Sequence, residues 1–251
     1  MTRSTPAPGP GPSIPGLEVR SFDLERDVQP LAELLSEANL HDGVDWLPTA
    51  AALRNDYEHP TGQDPARDVL LAWADGRLVG TVETEWRLRA ERVHHRVSPV
   101  VHPAFRHRGL GRWLLAWAES RVLEGLGEGS MGPPGLPHLF TGWADLEIPD
   151  VAPFATAAGY HVDGYGIMMV RPLDEPIPDI AMPEGLEVRP VLPEHHRAIW
   201  DADCAAFLDH RDPLVRTEED YLAFLAQPDF DPSIWEVAWE GGEVAGSVMN
   251  F

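Results

Sequence analysis

The chain has 251 residues, a formal net charge of −22 and a hydrophobic share of 43%. That length and apolar content suit one large domain or two small ones with real cores, and they exclude a disordered polymer. A single cysteine, Cys204, excludes a disulfide scaffold and a cysteine-based zinc site, and the acidity argues against nucleic acid as a partner, which needs cations laid along phosphates.

No apolar run reaches the roughly 18 residues of a membrane span, and no signal-like apolar segment opens the chain, so a cytoplasmic protein with no membrane partner is expected. All 19 basic residues are arginine, so no lysine can act as base, nucleophile or phosphate clamp. Acid is unevenly placed: 18 Asp and Glu face 4 Arg from residue 173 onward. Arg87, Arg89, Arg92, His94, His95, Arg96 and the run His102 to Arg112 form a local basic stretch. Such a stretch in an acidic chain suggests a small anionic ligand, against the alternative of a solvated charged hairpin.

In chain order, residues 1–15 are Pro- and Gly-rich and read as a disordered leader. Leu17–Phe22 reads as a strand, Asp27–Leu40 as a helix with Val28, Leu31, Leu34 and Leu35 at helical spacing, and Thr49–Tyr57 as a shorter helix. Asp68–Ala74 and Leu78–Leu88 are strands joined by Asp75-Gly76, a strong hairpin signal. Arg92–Val101 is a further strand and Leu110–Leu126 an amphipathic helix. A strand at His138–Trp143, a helix at Val151–Ala158 and a closing strand pair over Tyr160–Val170 complete the unit. The order predicts an α/β fold, a mixed, mostly antiparallel sheet flanked by helices.

Residues 172–184 are Pro-rich and read as a linker between a domain at 16–171 and a second one at 185–251. Gly16-Leu-Glu-Val-Arg20 recurs as Gly185-Leu-Glu-Val-Arg189, and the segment Trp73 to Val82 recurs as Trp239 to Val248. Two matches in one order make 185–251 a partial second copy of the first domain. Its last strand would present an open edge, so a homodimer through that edge is a candidate assembly.

The most informative segment is Val101-His-Pro-Ala-Phe-Arg-His-Arg-Gly-Leu-Gly-Arg112, between a strand and a helix. Backbone N–H groups at a helix N-terminus are unpaired, and the helix dipole favours an anion there. Glycines let the backbone approach a pyrophosphate closely. The spacing Arg106-x-x-Gly109-x-Gly111 differs from the G-x-G-x-x-G of a dinucleotide fold, and no parallel βαβ unit surrounds it.

Together with the element order, this segment resembles the GNAT family of acyl-CoA-dependent N-acetyltransferases. The resemblance implies acetyl-CoA as cosubstrate, no metal, and direct transfer of acetyl to a primary amine of a small molecule or peptide. It implies that Val101 binds pantetheine through its backbone, and that Arg106, His107, Arg108, Gly109, Leu110, Gly111 and Arg112 cradle the pyrophosphate. Six residues before Val101, at a strand position where family members carry a glutamate or a histidine, stands His95, a candidate base titrating near neutrality. Glu83 and Glu85 on the preceding strand are rival bases, and Trp46 and Trp86 are candidate walls of an acceptor pocket. Where many members carry an acidic tyrosine, four residues before the glycine of a terminal Gly-Phe, this chain has Ala155. That departure keeps two other readings open, a non-catalytic acyl-CoA-binding or regulatory module and a truncated tandem acetyltransferase.

Overall fold

The computed structural model describes residues 11–172 and 174–250. They divide into two compact units: residues 11–153 with 211–228, and residues 154–210 with 229–250. The division does not follow the Pro-rich linker, because the segment from Arg211 to Pro228 packs with the first unit.

The first unit is a five-stranded sheet in the order β1-β2-β3-β4-β5. β1 (Leu17–Ser21) pairs antiparallel with β2 (Val69–Ala74), β2 with β3 (Arg77–Arg89), and β3 with β4 (Arg92–Val101). β5 (His138–Thr141) then runs parallel to β4. The mixed, mostly antiparallel sheet expected from the sequence is thus the observed one. Helices α1 (Leu24–Asp42) and α2 (Ala50–Glu58) start at Asp23 and Thr49, whose side chains accept the N–H groups of Arg26 and Ala52. A single turn, α3 (Pro65–Asp68), leads into β2. Helix α4 (Leu110–Glu128) ends at Gly129, whose φ of 73° closes the helix with bonds to Gly125 and Leu126 carbonyls.

The two faces of the sheet bury different helices. Phe22, Val28, Leu31, Leu34, Leu53, Val69 and Leu71 form the core against α1 and α2. On the other face a Cβ at Gly80 would meet Leu110 and Leu114 at 3.0 and 3.2 Å, so the missing side chain lets α4 lie close to β3. Asp75 and Gly76 both have positive φ, 49° and 78°, the twisted two-residue turn that Asp-Gly encodes.

The leader expected over 1–15 falls partly outside the described residues. Of its last five residues, Ile14 is buried and Pro12 lies 3.8 Å from the position a Cβ on Gly109 would take. Helix α5 (Val151–Ala157) matches expectation closely. Among the described residues no strand forms between it and Glu187, so the closing pair expected over Tyr160–Val170 is corrected. Tyr165, Ile167, Met168, Met169 and Val170 are all at least three-quarters exposed. Apolar character marks a segment that fits a pleated surface, but a strand exists only where a ladder neighbour is offered.

The second unit carries β6 (Glu187–Val188), α6 (His196–Ala206), β7 (Glu236–Glu240) and β8 (Glu243–Val248), the strands in the antiparallel order β6-β7-β8. Ile199, Trp200, Trp235, Val237 and Trp239 are its buried residues. Local details recur between the two hairpins. A register shift falls at Ala72/Trp73 and again at Ala238/Trp239. An arginine stacks on the tryptophan in both, Arg20 over Trp73 at 4.6 Å and Arg189 over Trp239 at 4.3 Å. The turn Gly241-Gly242 repeats the two positive φ values. Helix α7 (Glu218–Leu225), opened by a capping box at Thr217, belongs with the first unit.

Candidate functional site

Val101 ends β4, a short 3-10 turn (Pro103–Phe105) follows, and Gly109 opens α4. Gly109 has φ of 84° and His107 of 60°, a left-handed pair that turns the chain sharply into the helix. No side chain caps the first turn of α4. A 19-residue helix therefore aims uncapped N–H donors past the exposed Gly109, where a small anion is favoured by both hydrogen bonding and dipole. This is the feature that fits a pyrophosphate.

The charged residues of the loop do not act alike. Arg106 is bound bidentately to Asp42 at 2.6 and 2.7 Å and donates through Nε to the Val101 carbonyl at 3.1 Å. Its guanidinium thus ties the end of α1 to the end of β4. His107 faces Asp150 at 3.3 Å. Arg108 lies over the Phe105 ring at 5.2 Å, and Arg112 is exposed in the first turn of α4.

The basic stretch is met largely by acids of its own chain. Arg87 pairs with Asp220 at 2.6 Å and His94 with Asp212 at 3.0 Å. Arg96 reaches Glu85 at 2.9 Å and Glu83 at 3.3 Å, and His102 reaches Glu37 at 3.1 Å. The charge of the stretch is therefore largely balanced within the chain, and the uncapped start of α4 is the part of it that fits a small anion.

The three candidate bases are split between the faces of the sheet. Counting back from Val101, opposite Gly80, residues Pro99, Val97 and His95 alternate onto the α4 face. Glu83 and Glu85 stand on the opposite face. Tyr57 of α2 donates to Glu83 at 3.1 Å there, and Arg96 lies between the two glutamates. Burial raises the Glu83 carboxyl above its ordinary value, with Arg96 opposing, and burial also raises the Tyr57 hydroxyl.

His95 is 1% exposed, not the exposed strand residue of the solvated-hairpin alternative. Its Nε2 lies 2.9 Å from Nδ1 of His138, the rings stacked at an interplanar angle of 17°. The parallel ladder explains the meeting: His95 lies opposite Phe140, and His138, two residues back, shares its face. Burial, with His138 and His94 nearby, lowers the His95 imidazole to about 4. Its Nδ1 is buried with no hydrogen-bond partner, as is the hydroxyl of Thr84 on the same face of β3. Trp86 is the cross-strand partner of His95, whereas Trp46 is 59% exposed.

His138 escapes sequence reasoning because a parallel neighbour reached through a helix leaves no local spacing to read. Asp42 escapes because its ion pair with Arg106 joins residues 64 apart in the chain. Ala155 sits within α5, its carbonyl accepting the Tyr160 N–H at 3.0 Å. Among the described residues no group of three or more His, Cys, Asp or Glu side chains is placed to hold a metal ion, and no helix is long and apolar enough to cross a membrane.

Residues 29–129 match the acetyltransferase (GNAT) family. The chain is similar to the mycothiol acetyltransferase of Geodermatophilus obscurus, 32% identical over 217 residues, covering 85% of this chain and 65% of that protein. It is 34% identical over 232 residues to the mycothiol acetyltransferase of Thermobispora bispora, covering 92% and 70%. In fold it is similar to a GCN5-related N-acetyltransferase from Sphaerobacter thermophilus, with a TM-score of 0.64 at 23% identity over 95% of this chain and 72% of that one. The chain thus spans about two thirds of the length of these curated relatives.

Proposed function

This chain belongs to the acetyltransferase (GNAT) family, and from that premise we propose that it transfers acetyl from acetyl-CoA to the primary amine of a small molecule by direct attack in a ternary complex. The observation that carries the reading is the uncapped start of α4, opened by Gly109 beside the end of β4. Backbone N–H groups over Gly109, Leu110, Gly111 and Arg112 would hold the pyrophosphate, with Arg108, Arg112 and His107 adding charge at its rim. Val101 would meet the pantetheine through its backbone. Arg106 would act by fixing that loop through Asp42 and Val101. Acetyl-CoA supplies the activated acyl group.

The chain's own part is to hold the amine and take its proton. Its proton is assigned to the buried pair containing His95, ahead of Glu83 and Glu85, which already serve as counter-ions of Arg96. The relatives' names support a mycothiol-related amine as acceptor, and the repeated hairpin register supports residues 185–251 as a partial second copy of the fold. The loop from Arg106 to Arg112 forms one such site, so one acetyl-CoA is expected there.

Calorimetric titration of acetyl-CoA, followed by an amine screen, tests this. Saturable binding near one site per chain and turnover of at least one amine are expected. No binding at millimolar ligand would overturn the reading, and saturable binding with no amine turned over would favour a non-catalytic acyl-CoA-binding module. Glu83→Gln should leave turnover within a few-fold, whereas a loss of 100-fold would move the base to the opposite face of the sheet.

A further inference from the structure

His95 and His138 form one hydrogen-bonded unit, yet only one of them is placed to meet a substrate. His95 is 1% exposed, whereas His138, at the start of β5, is half-buried. A base must come within hydrogen-bond reach of the proton it takes. We infer that His138 is the general base that contacts the acceptor amine, and that His95 is a positioning residue that fixes its tautomer. This inference rests on the acetyltransferase reading above.

Only one hydrogen lies between His95 Nε2 and His138 Nδ1, 2.9 Å apart. When His138 Nδ1 donates it, His138 Nε2 is left with a free lone pair on the less buried ring of the unit. Burial keeps His95 neutral, its imidazole lowered to about 4, so it accepts that hydrogen bond without competing for the second proton. As the amine nitrogen forms its bond to the acetyl carbon, its proton moves to His138 Nε2. The C–S bond breaks and its electron pair leaves on the CoA thiolate. His138, then a cation with Nδ1–H held by His95, returns its proton to solvent. The stacked rings and the shared face of β4 and β5 hold the pair in register.

The test uses the full chain with acetyl-CoA and an amine that the wild type turns over. His138→Ala should lower kcat 100-fold or more with acetyl-CoA affinity within about two-fold, and added imidazole should restore part of the loss. His95→Gln keeps an acceptor for His138 Nδ1–H and should retain at least a tenth of the activity. His95→Leu should lose more and shift the acid limb of the kcat/KM pH profile. A near-normal His138→Ala enzyme, or equal losses in both His95 variants with no imidazole rescue of His138→Ala, would overturn the inference and leave the acetyltransferase reading standing. Long-range 15N NMR of the wild type reads the tautomer without turnover. A hydrogen on His138 Nδ1 is expected, and one on Nε2 overturns the assignment. A wild type that binds acetyl-CoA, shows the expected tautomer and acetylates no amine would instead refute the acetyltransferase reading.

Discussion

His95 shows how one burial event sets both chemistry and stability. In the unfolded chain an imidazole titrates near 6.5, whereas the folded one, desolvated and flanked by His138 and His94, lies at about 4. Between those values the unfolded state binds more protons. The contribution of His95 is therefore intact above about pH 6.5 and is lost as pH falls towards 4. His138 and the Phe140 ring face it, while His94, adjacent in the chain but on the other side of the strand, pairs with Asp212. Denaturant melts at pH 7 and 5.5 should show the wild type losing about 1 kcal/mol more than His95→Phe. Equal losses would mean that His95 titrates normally. The sequence supplied His95 through its distance from Val101. Its burial and its partner came from a parallel ladder that no local spacing encodes.

At the scale of elements, the start of α4 depends on a backbone conformation and on a tether, and the two are separable. A Cβ on Gly109 would meet nothing closer than 3.8 Å, so a substitution there strains the φ of 84° without a clash. Gly109→Val is expected to weaken acetyl-CoA binding at least ten-fold by calorimetry, since left-handed backbone costs a side chain about 1–2 kcal/mol and moves the N–H donors. Arg106→Ala should behave differently from Arg112→Ala. The first leaves Asp42, itself half-buried, without its bidentate partner and should cost about 1–3 kcal/mol of folding stability. The second should cost little stability and lower cosubstrate affinity alone. If Arg106→Ala melts like the wild type, the Asp42 tether does not position the loop. The strand, glycine loop and helix were legible because hairpin turn, glycine spacing and apolar periodicity are local signals. The expected strands over Tyr160–Val170 failed because a strand needs a neighbour that composition does not name.

For the whole molecule, the net charge of −22 conceals a local balance. Of the acids after residue 173, Asp212, Glu219 and Asp220 fold back onto His94, His59 and Arg87 within the first unit. Backbone bonds accompany them: the Ala90 N–H donates to Pro213 and the Val215 N–H to Leu88. Arg87–Asp220 is the most enclosed of these pairs, its side chains 25% and 11% exposed. Burial pushes the Asp220 carboxyl up, but hydrogen bonds from Thr217 and Arg87 outweigh it and hold the group below its ordinary value. The stabilisation from Asp220 is therefore complete above the ordinary carboxylate range and disappears as pH falls through the lower folded-state value. A double-mutant cycle with Arg87→Ala and Asp220→Ala should give a coupling of about 1 kcal/mol at pH 7, shrinking at pH 3. A coupling near zero at pH 7 would mean that the backbone bonds alone hold residues 211–228 against the hairpin, and that the charge pattern carries no structural information.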